Sequence, residues 1–317
     1  MTTIAEVGPA SIVRGDAEPG ARLTGRFDLL HEFRSAALGT TRRVSLYLPP
    51  GYDASAARYP ALYLQDGQNL FDPGRAFVPG QDWGLDETAE ALIRGGEIAP
   101  VILVGIDHGG VARLDEYTPS RDPRRQVGGR LAAYRRFLVD ELKPWIDARY
   151  RTRAEAASTG VGGSSLGGLA ALELGLTRPD VFGRVAALSP SLWWHERRVL
   201  DRALDLDGHL AVSIWLDAGT HEGPGVLHHA RMLKNILLRH GWRLGRDLHY
   251  REVAGGRHSG PGARHALDKR DARQERPAAL REAREAAGAN GAAGHGAARQ
   301  PRPAQGPEAA ARADGGG

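Results

Sequence analysis

Apolar positions follow two periods along the chain. In the first part they recur every second residue. Phe33–Gly39 and Arg43–Leu48 read as the arms of a hairpin around Gly39-Thr40-Thr41, with Val44, Leu46 and Leu48 on one face and Pro49-Pro50 as the stop. Tyr59–Leu64 and Pro100–Ile106 are unbroken apolar runs of strand length, the mark of strands covered on both faces. Residues 84–94 carry Leu85, Ala89, Leu92 and Ile93 at helical spacing. Residues 131–147 do the same with Leu131, Tyr134, Phe137, Leu138, Leu142 and Trp145. A short strand near 157–163 precedes a helix from about Leu166 to Leu176, which Pro179 closes off. Strands at 185–189 and 210–216, a helix over 226–240 capped by Gly241 and a last strand at 249–253 complete the series. Helices alternating with strands after a hairpin predict an α/β fold: a mostly parallel central sheet with an antiparallel start and helices on both faces.

The pattern stops near residue 259. From Ser259 onward there is no aromatic residue, no Ile, Val or Met, and only Leu267 and Leu280 among the large apolar side chains. Two leucines do not offset the ordering entropy of about 60 residues at roughly 1–2 kcal/mol each. Residues 260–317 therefore read as a disordered low-complexity tail, with the composition of a GC-rich gene read out of frame. Residues 1–24 read as a flexible lead-in, and 25–259 as one catalytic-sized domain.

The absence of cysteine excludes a disulfide scaffold, a thiolate nucleophile and a Cys-ligated metal. The formal net charge of +4 is carried entirely by residues 251–317, so no basic face for nucleic acid is expected on the body. No run of apolar residues has the length of a membrane span, and the N-terminus lacks a basic stretch followed by an apolar one. A cytoplasmic protein acting on a small molecule is the expectation.

The chemistry concentrates in Gly163-Ser164-Ser165-Leu166-Gly167, a G-x-S-x-G between an expected strand and an expected helix. A nucleophile on so sharp a turn needs small neighbours two residues away on both sides, because strand and helix nearly touch there. Ser165 has them; Ser164 has Leu166 at the second position. A serine hydroxyl needs a base, and in this arrangement the order is serine, acid, histidine. His258, just beyond the last strand, has the right place. His240 and His249 sit at element ends, His228 and His229 within a helix, and His265 in the tail. The acid belongs beyond the strand before. Glu222 lies in that loop and has the better reach, with Asp217 at the strand's edge as the alternative. Oxyanion donors are expected from the backbone of Leu166 and, after the third strand, of Gln68. Trp193 and Trp194 either line an aromatic pocket or pack a loop onto the core. Arg113 either meets an anionic substrate group or pairs with Asp115 or Glu116.

With these residues placed, the chain resembles the esterase family that includes the enterochelin esterases. The resemblance rests on five co-linear segments: Tyr59–Asp72, Arg113–Pro119, Gly163–Leu169, Leu188–Trp194 and Gly255–Ser259. It implies an α/β-hydrolase fold without a large lid, a serine esterase with no metal or cofactor, and the roles Ser165 nucleophile, His258 base and Glu222 acid. The same fold also serves acyltransferases and impaired binding modules, which are the alternatives.

Overall fold

The computed structural model describes residues 7–15 and 20–257. Eleven strands are present among them: β1 (Ser11–Arg14), β2 (Arg26–Ser35), β3 (Thr40–Leu48), β4 (Ala61–Gln65), β5 (Ile102–Ile106), β6 (Arg121–Asp122), β7 (Val127–Gly128), β8 (Thr159–Ser164), β9 (Arg184–Leu188), β10 (Ser213–Gly219) and β11 (Leu248–Val253). Seven helices accompany them: α1 (Leu85–Arg94), α2 (Arg113–Glu116), α3 (Leu131–Arg136), α4 (Lys143–Arg149), α5 (Leu166–Thr177), α6 (Trp194–Leu204) and α7 (Pro224–Arg239).

Nine strands form one sheet in the order β1-β2-β3-β5-β4-β8-β9-β10-β11, while β6 and β7 form a separate ribbon. From β5 to β11 every pairing is parallel; β1, β2 and β3 are antiparallel. This is the mostly parallel sheet with an antiparallel start that the alternation of elements predicts, in the α/β-hydrolase arrangement that the family resemblance implies. The faces sort by the two-residue period. Val44, Leu46, Tyr63, Ile102, Val104 and Ile106 join the main core with the helices from α3 to α7. Tyr47, Leu64 and Leu103 point the other way, onto Leu85, Ala89 and Leu92 of α1.

Several expectations shift in detail. The hairpin turn is Ala36–Gly39, and its first arm begins at Arg26. A bulge at Glu32, with φ 50°, lets Leu30 and Phe33 both turn inward. Ser11–Arg14, within the expected lead-in, adds an edge strand against Asp28–His31. Its side chains are mostly exposed, so hydropathy carries no trace of it. The long helix over 131–149 contains a π-helical segment at Phe137–Leu142, just before Pro144. Proline has no N–H to give the preceding turn, and the wider turn absorbs the mismatch. β10 starts at Ser213 and runs through Asp217, further along the chain than its apolar run suggests. The tail from 258 to 317 lies outside the described residues.

Candidate active site

β8 is a fully buried strand in the middle of the sheet, and α5 begins two residues after it ends. Ser165 makes the turn alone, with φ 58° and ψ −119°, a backbone conformation that costs on the order of 1–3 kcal/mol. Backbone bonds hold it there. Its N–H donates to the Leu188 carbonyl at 3.0 Å, and its carbonyl accepts from Leu169 at 3.0 Å and Ser191 at 2.9 Å. Of the glycines around it, Gly163 is a steric necessity and Gly168 a tight fit. A Cβ on Gly163 would lie 2.8 Å from the Gly167 carbonyl carbon, and one on Gly168 would lie 3.0 Å from the Gly163 oxygen. Ser164 is the last, buried residue of β8, paired with Leu188.

The two carboxylates separate cleanly. Asp217, within β10, is buried and accepts from the Ser189 N–H at 2.9 Å and from Trp215 Nε1 at 3.0 Å. Burial pushes its pKa up to about 6, with the charge of Glu222 adding to the effect against those two donors. Glu222 lies three residues beyond the strand. Its Oε1 accepts from Ser189 Oγ at 2.6 Å and from the Gly219 N–H at 3.0 Å.

The Glu222 loop is laced to the segment that leads to residue 258. Thr220 N donates to the Val253 oxygen at 3.0 Å, His221 N to the Gly256 oxygen at 2.8 Å, and Gly255 N to Thr220 Oγ1 at 2.9 Å. A Cβ on Gly219 would come within 2.4 Å of the Gly256 oxygen, so only glycine lets the two loops meet. His258 itself lies outside the described residues.

Ser189-Pro190-Ser191, which follows β9, escaped assignment from sequence. Ser189 touches both carboxylates, and Ser191 Oγ stands 3.2 Å from Ser165 Oγ. One short segment thus connects the serine turn to the Glu222 loop. The available signal was its position at the carboxyl end of the strand beside the elbow strand, where the loops of an open parallel sheet gather.

At the end of β4, beside the elbow, Asp66 has φ 58° and starts a 3₁₀ turn over Gly67–Asn69. Gly67 presses on β5, where a Cβ would lie 2.5 Å from the Gly105 carbonyl carbon. Gln68 is half-buried, and its side-chain oxygen accepts from the His108 N–H at 3.3 Å. Leu166 and Gln68 both stand in the first turn of a helical segment, where backbone N–H groups have no acceptor within the segment.

Arg113 departs from both expectations for it. Its Nε and Nη2 donate to the two oxygens of Asp66, each at 2.7 Å, and it lies over the Tyr117 ring. Glu116 is taken by Arg42 in a buried ion pair, and Asp115 accepts from the Gly128 N–H. The tryptophans also divide. Trp194 is 1% exposed, with Nε1 on the Ser120 oxygen at 2.8 Å, and packs a loop onto the core. Trp193 is 40% exposed and lies under the Arg125 guanidinium. It borders a cleft of about 600 Å³ lined with Asp122, Arg124, His195, Arg197 and His229.

No helix among the described residues is long and apolar enough to cross a membrane. The family model described as "Putative esterase" matches residues 35–266. The ferri-bacillibactin esterase BesA of Bacillus subtilis is 28% identical over 206 residues, 59% of this chain and 67% of its own. The BES protein from Bacillus cereus shares the fold, with a TM-score of 0.63 at 20% identity over 84% of this chain and 97% of its own. An IroE-like serine hydrolase from Shewanella oneidensis has a TM-score of 0.56 at 25% identity over 69% of this chain and 71% of its own. A match running from the hairpin turn through the strained serine turn to beyond the Glu222 loop leaves one conclusion: the chain belongs to the esterase family and is a carboxylic ester hydrolase of the α/β-hydrolase fold.

Proposed function

We propose that this esterase works through an acyl-enzyme, with Ser165 as nucleophile, His258 as general base and acid, and Glu222 as the carboxylate that orients the imidazole. Ser165 Oγ attacks the ester carbonyl while His258 takes its proton. The oxyanion of the tetrahedral intermediate receives the N–H groups of Leu166 and Gln68. Collapse breaks the carbon–oxygen bond, and His258 returns the proton to the leaving alcohol. A water then attacks the acyl-enzyme and gives its proton to His258. The second tetrahedral intermediate collapses, the acyl carbon–Oγ bond breaks, Ser165 Oγ takes the proton back from His258 and the acid departs.

The observation that carries this reading is the lacing of the Glu222 loop to residues 253–256, immediately before His258. Glu222 is favoured over Asp217 as the acid because both Asp217 oxygens are occupied by N–H donors of the sheet edge.

BesA is named for its ferri-bacillibactin substrate, and by that likeness we assign this chain to esters of the siderophore type. The half-exposed Trp193 with Arg125 over its ring, at the rim of the cleft, supports an aromatic acyl group there. Hydrolysis of p-nitrophenyl acetate, and labelling of the Ser165 peptide by phenylmethylsulfonyl fluoride read by mass spectrometry, test the mechanism. A label on Ser164, or activity that survives in Ser165→Ala, refutes it.

A further inference from the structure

Asp66 poses a problem that the proposed mechanism does not use. Its carboxylate sits in the turn that presents the Gln68 N–H, and on the other side it faces the start of the elbow helix. A Cβ on Gly167 would lie 3.4 Å from Asp66 Oδ2. A negative charge at the place where an oxyanion forms opposes catalysis unless something cancels it. Asp66 also holds a left-handed backbone, φ 58° and ψ 44°, with no side-chain cap of its own.

Two residues of one neighbouring segment answer both needs. Arg113 grips the carboxylate with two hydrogen bonds of 2.7 Å, a planar fork on a planar acceptor. Tyr117, one helical turn further on and fully buried, accepts the Asp66 N–H at 3.2 Å. The segment is anchored in turn by the buried pair of Glu116 with Arg42 of β3. Backbone, side chain and charge of Asp66 are thus all governed by residues about fifty positions away.

We infer that Arg113 is a positioning residue for the oxyanion turn: its guanidinium neutralises Asp66, while the Tyr117 hydroxyl holds the backbone that aims the Gln68 N–H. This inference rests on the acyl-enzyme reading and adds to it the electrostatic state of the oxyanion site. It separates Arg113 from a role in gripping an anionic substrate, since both donors on one edge of the fork are already committed to Asp66.

A charge-cancelling role has a signature that neither a substrate contact nor a purely structural role shares. With the neutral substrate p-nitrophenyl acetate, Arg113→Gln lowers kcat by about tenfold to a hundredfold and leaves KM within about threefold, because only transition-state stabilisation is lost. Asp66→Asn alone lowers kcat less than Arg113→Gln does, because it removes the charge together with its need for a partner. Added to Arg113→Gln it restores most of the lost rate, because the uncompensated charge is gone. Arg113→Lys, which supplies charge without the fork, falls between wild type and Arg113→Gln. Affinity for phenylboronic acid, a tetrahedral adduct former, follows kcat through the series.

Should Arg113→Gln keep the wild-type kcat, or should its defect lie in KM, the inference is overturned. The same holds if Asp66→Asn fails to rescue a double variant that melts with the wild type. A wild type without esterase activity that also resists phenylmethylsulfonyl fluoride overturns the acyl-enzyme reading and this inference with it. An active wild type with an unaffected Arg113→Gln overturns the inference alone.

Discussion

Ser165 and Asp66 stand at the carboxyl ends of the paired strands β8 and β4, and each has a φ of 58°. Their means of support differ. The Ser165 turn is held by main-chain hydrogen bonds to Leu188, Leu169 and Ser191 and by glycines that let backbone meet backbone. The Asp66 turn is held by side chains, the Arg113 fork and the Tyr117 hydroxyl. A turn supported by its own neighbours leaves a local signature. A turn supported from a distant segment leaves none, although the proposed mechanism draws on both.

The largest effect expected is at the first turn. Ser165→Ala removes the nucleophile and leaves the backbone bonds that hold the turn, so ester hydrolysis falls by about 10⁴-fold or more while the melting temperature stays put. Retained activity in that variant, or its transfer to a Ser164→Ala defect, breaks the assignment of the elbow.

Next comes the acid. Glu222→Gln lowers kcat by about 10²- to 10⁴-fold, since the orienting carboxylate is the most dispensable member of such a triad. Asp217→Asn acts instead mainly on stability, through the Ser189 and Trp215 N–H groups it would meet with a mixed donor and acceptor. Rates measured for the pair decide between them, and a larger kinetic loss for Asp217→Asn reverses the assignment.

A smaller effect lies on the elbow helix. Glu173 of α5 is buried against Arg202, and burial outweighs that partner to push its pKa up to about 7 from the usual 4.5. A raised folded-state pKa means the native state binds the proton more tightly than the unfolded chain. The stabilisation is complete below about pH 4.5 and is lost as pH rises through 7. Across that window it is on the order of 2–3 kcal/mol. Thermal melts at pH 5 and pH 8 should show the wild type weakening at the higher pH, and Glu173→Gln should flatten that slope.

The smallest effect sharpens the contrast itself. Glycine takes positive φ without strain, so Ser165→Gly should stabilise the fold by about 1 kcal/mol. Asp66→Gly relaxes the same kind of backbone but strands Arg113 without its acceptor, so denaturant titration should find no gain. Equal gains at both positions would show that the side-chain support of the Asp66 turn counts for nothing.

Much of this molecule was legible in one dimension. The period of apolar residues located most strands and helices. The glycines around Ser165 identified the elbow, because the steric demand and the residues that meet it lie within six positions. The order of serine, acid loop and post-strand histidine directed attention to Glu222 and His258. What escaped has physical reasons. β1 is an exposed edge whose pairing is made by backbone atoms, which hydropathy does not register. The first turn of α6 after Trp194 is left-handed at His195, Glu196 and Arg197, and these side chains are polar, so no apolar period marks its start.

The sequence by itself determined the fold class and the sharp serine turn between strand and helix, since these follow from local sterics and from apolar period. Only the tertiary structure decided the partners of the charged side chains. Arg113 had Asp115 and Glu116 beside it and took Asp66; Asp217 and Glu222 lay five residues apart, and Ser189 meets one with its N–H and the other with its hydroxyl. Charged and hydrogen-bonding groups choose partners by distance and desolvation in the folded state, and those quantities exist only once distant strands have been brought side by side.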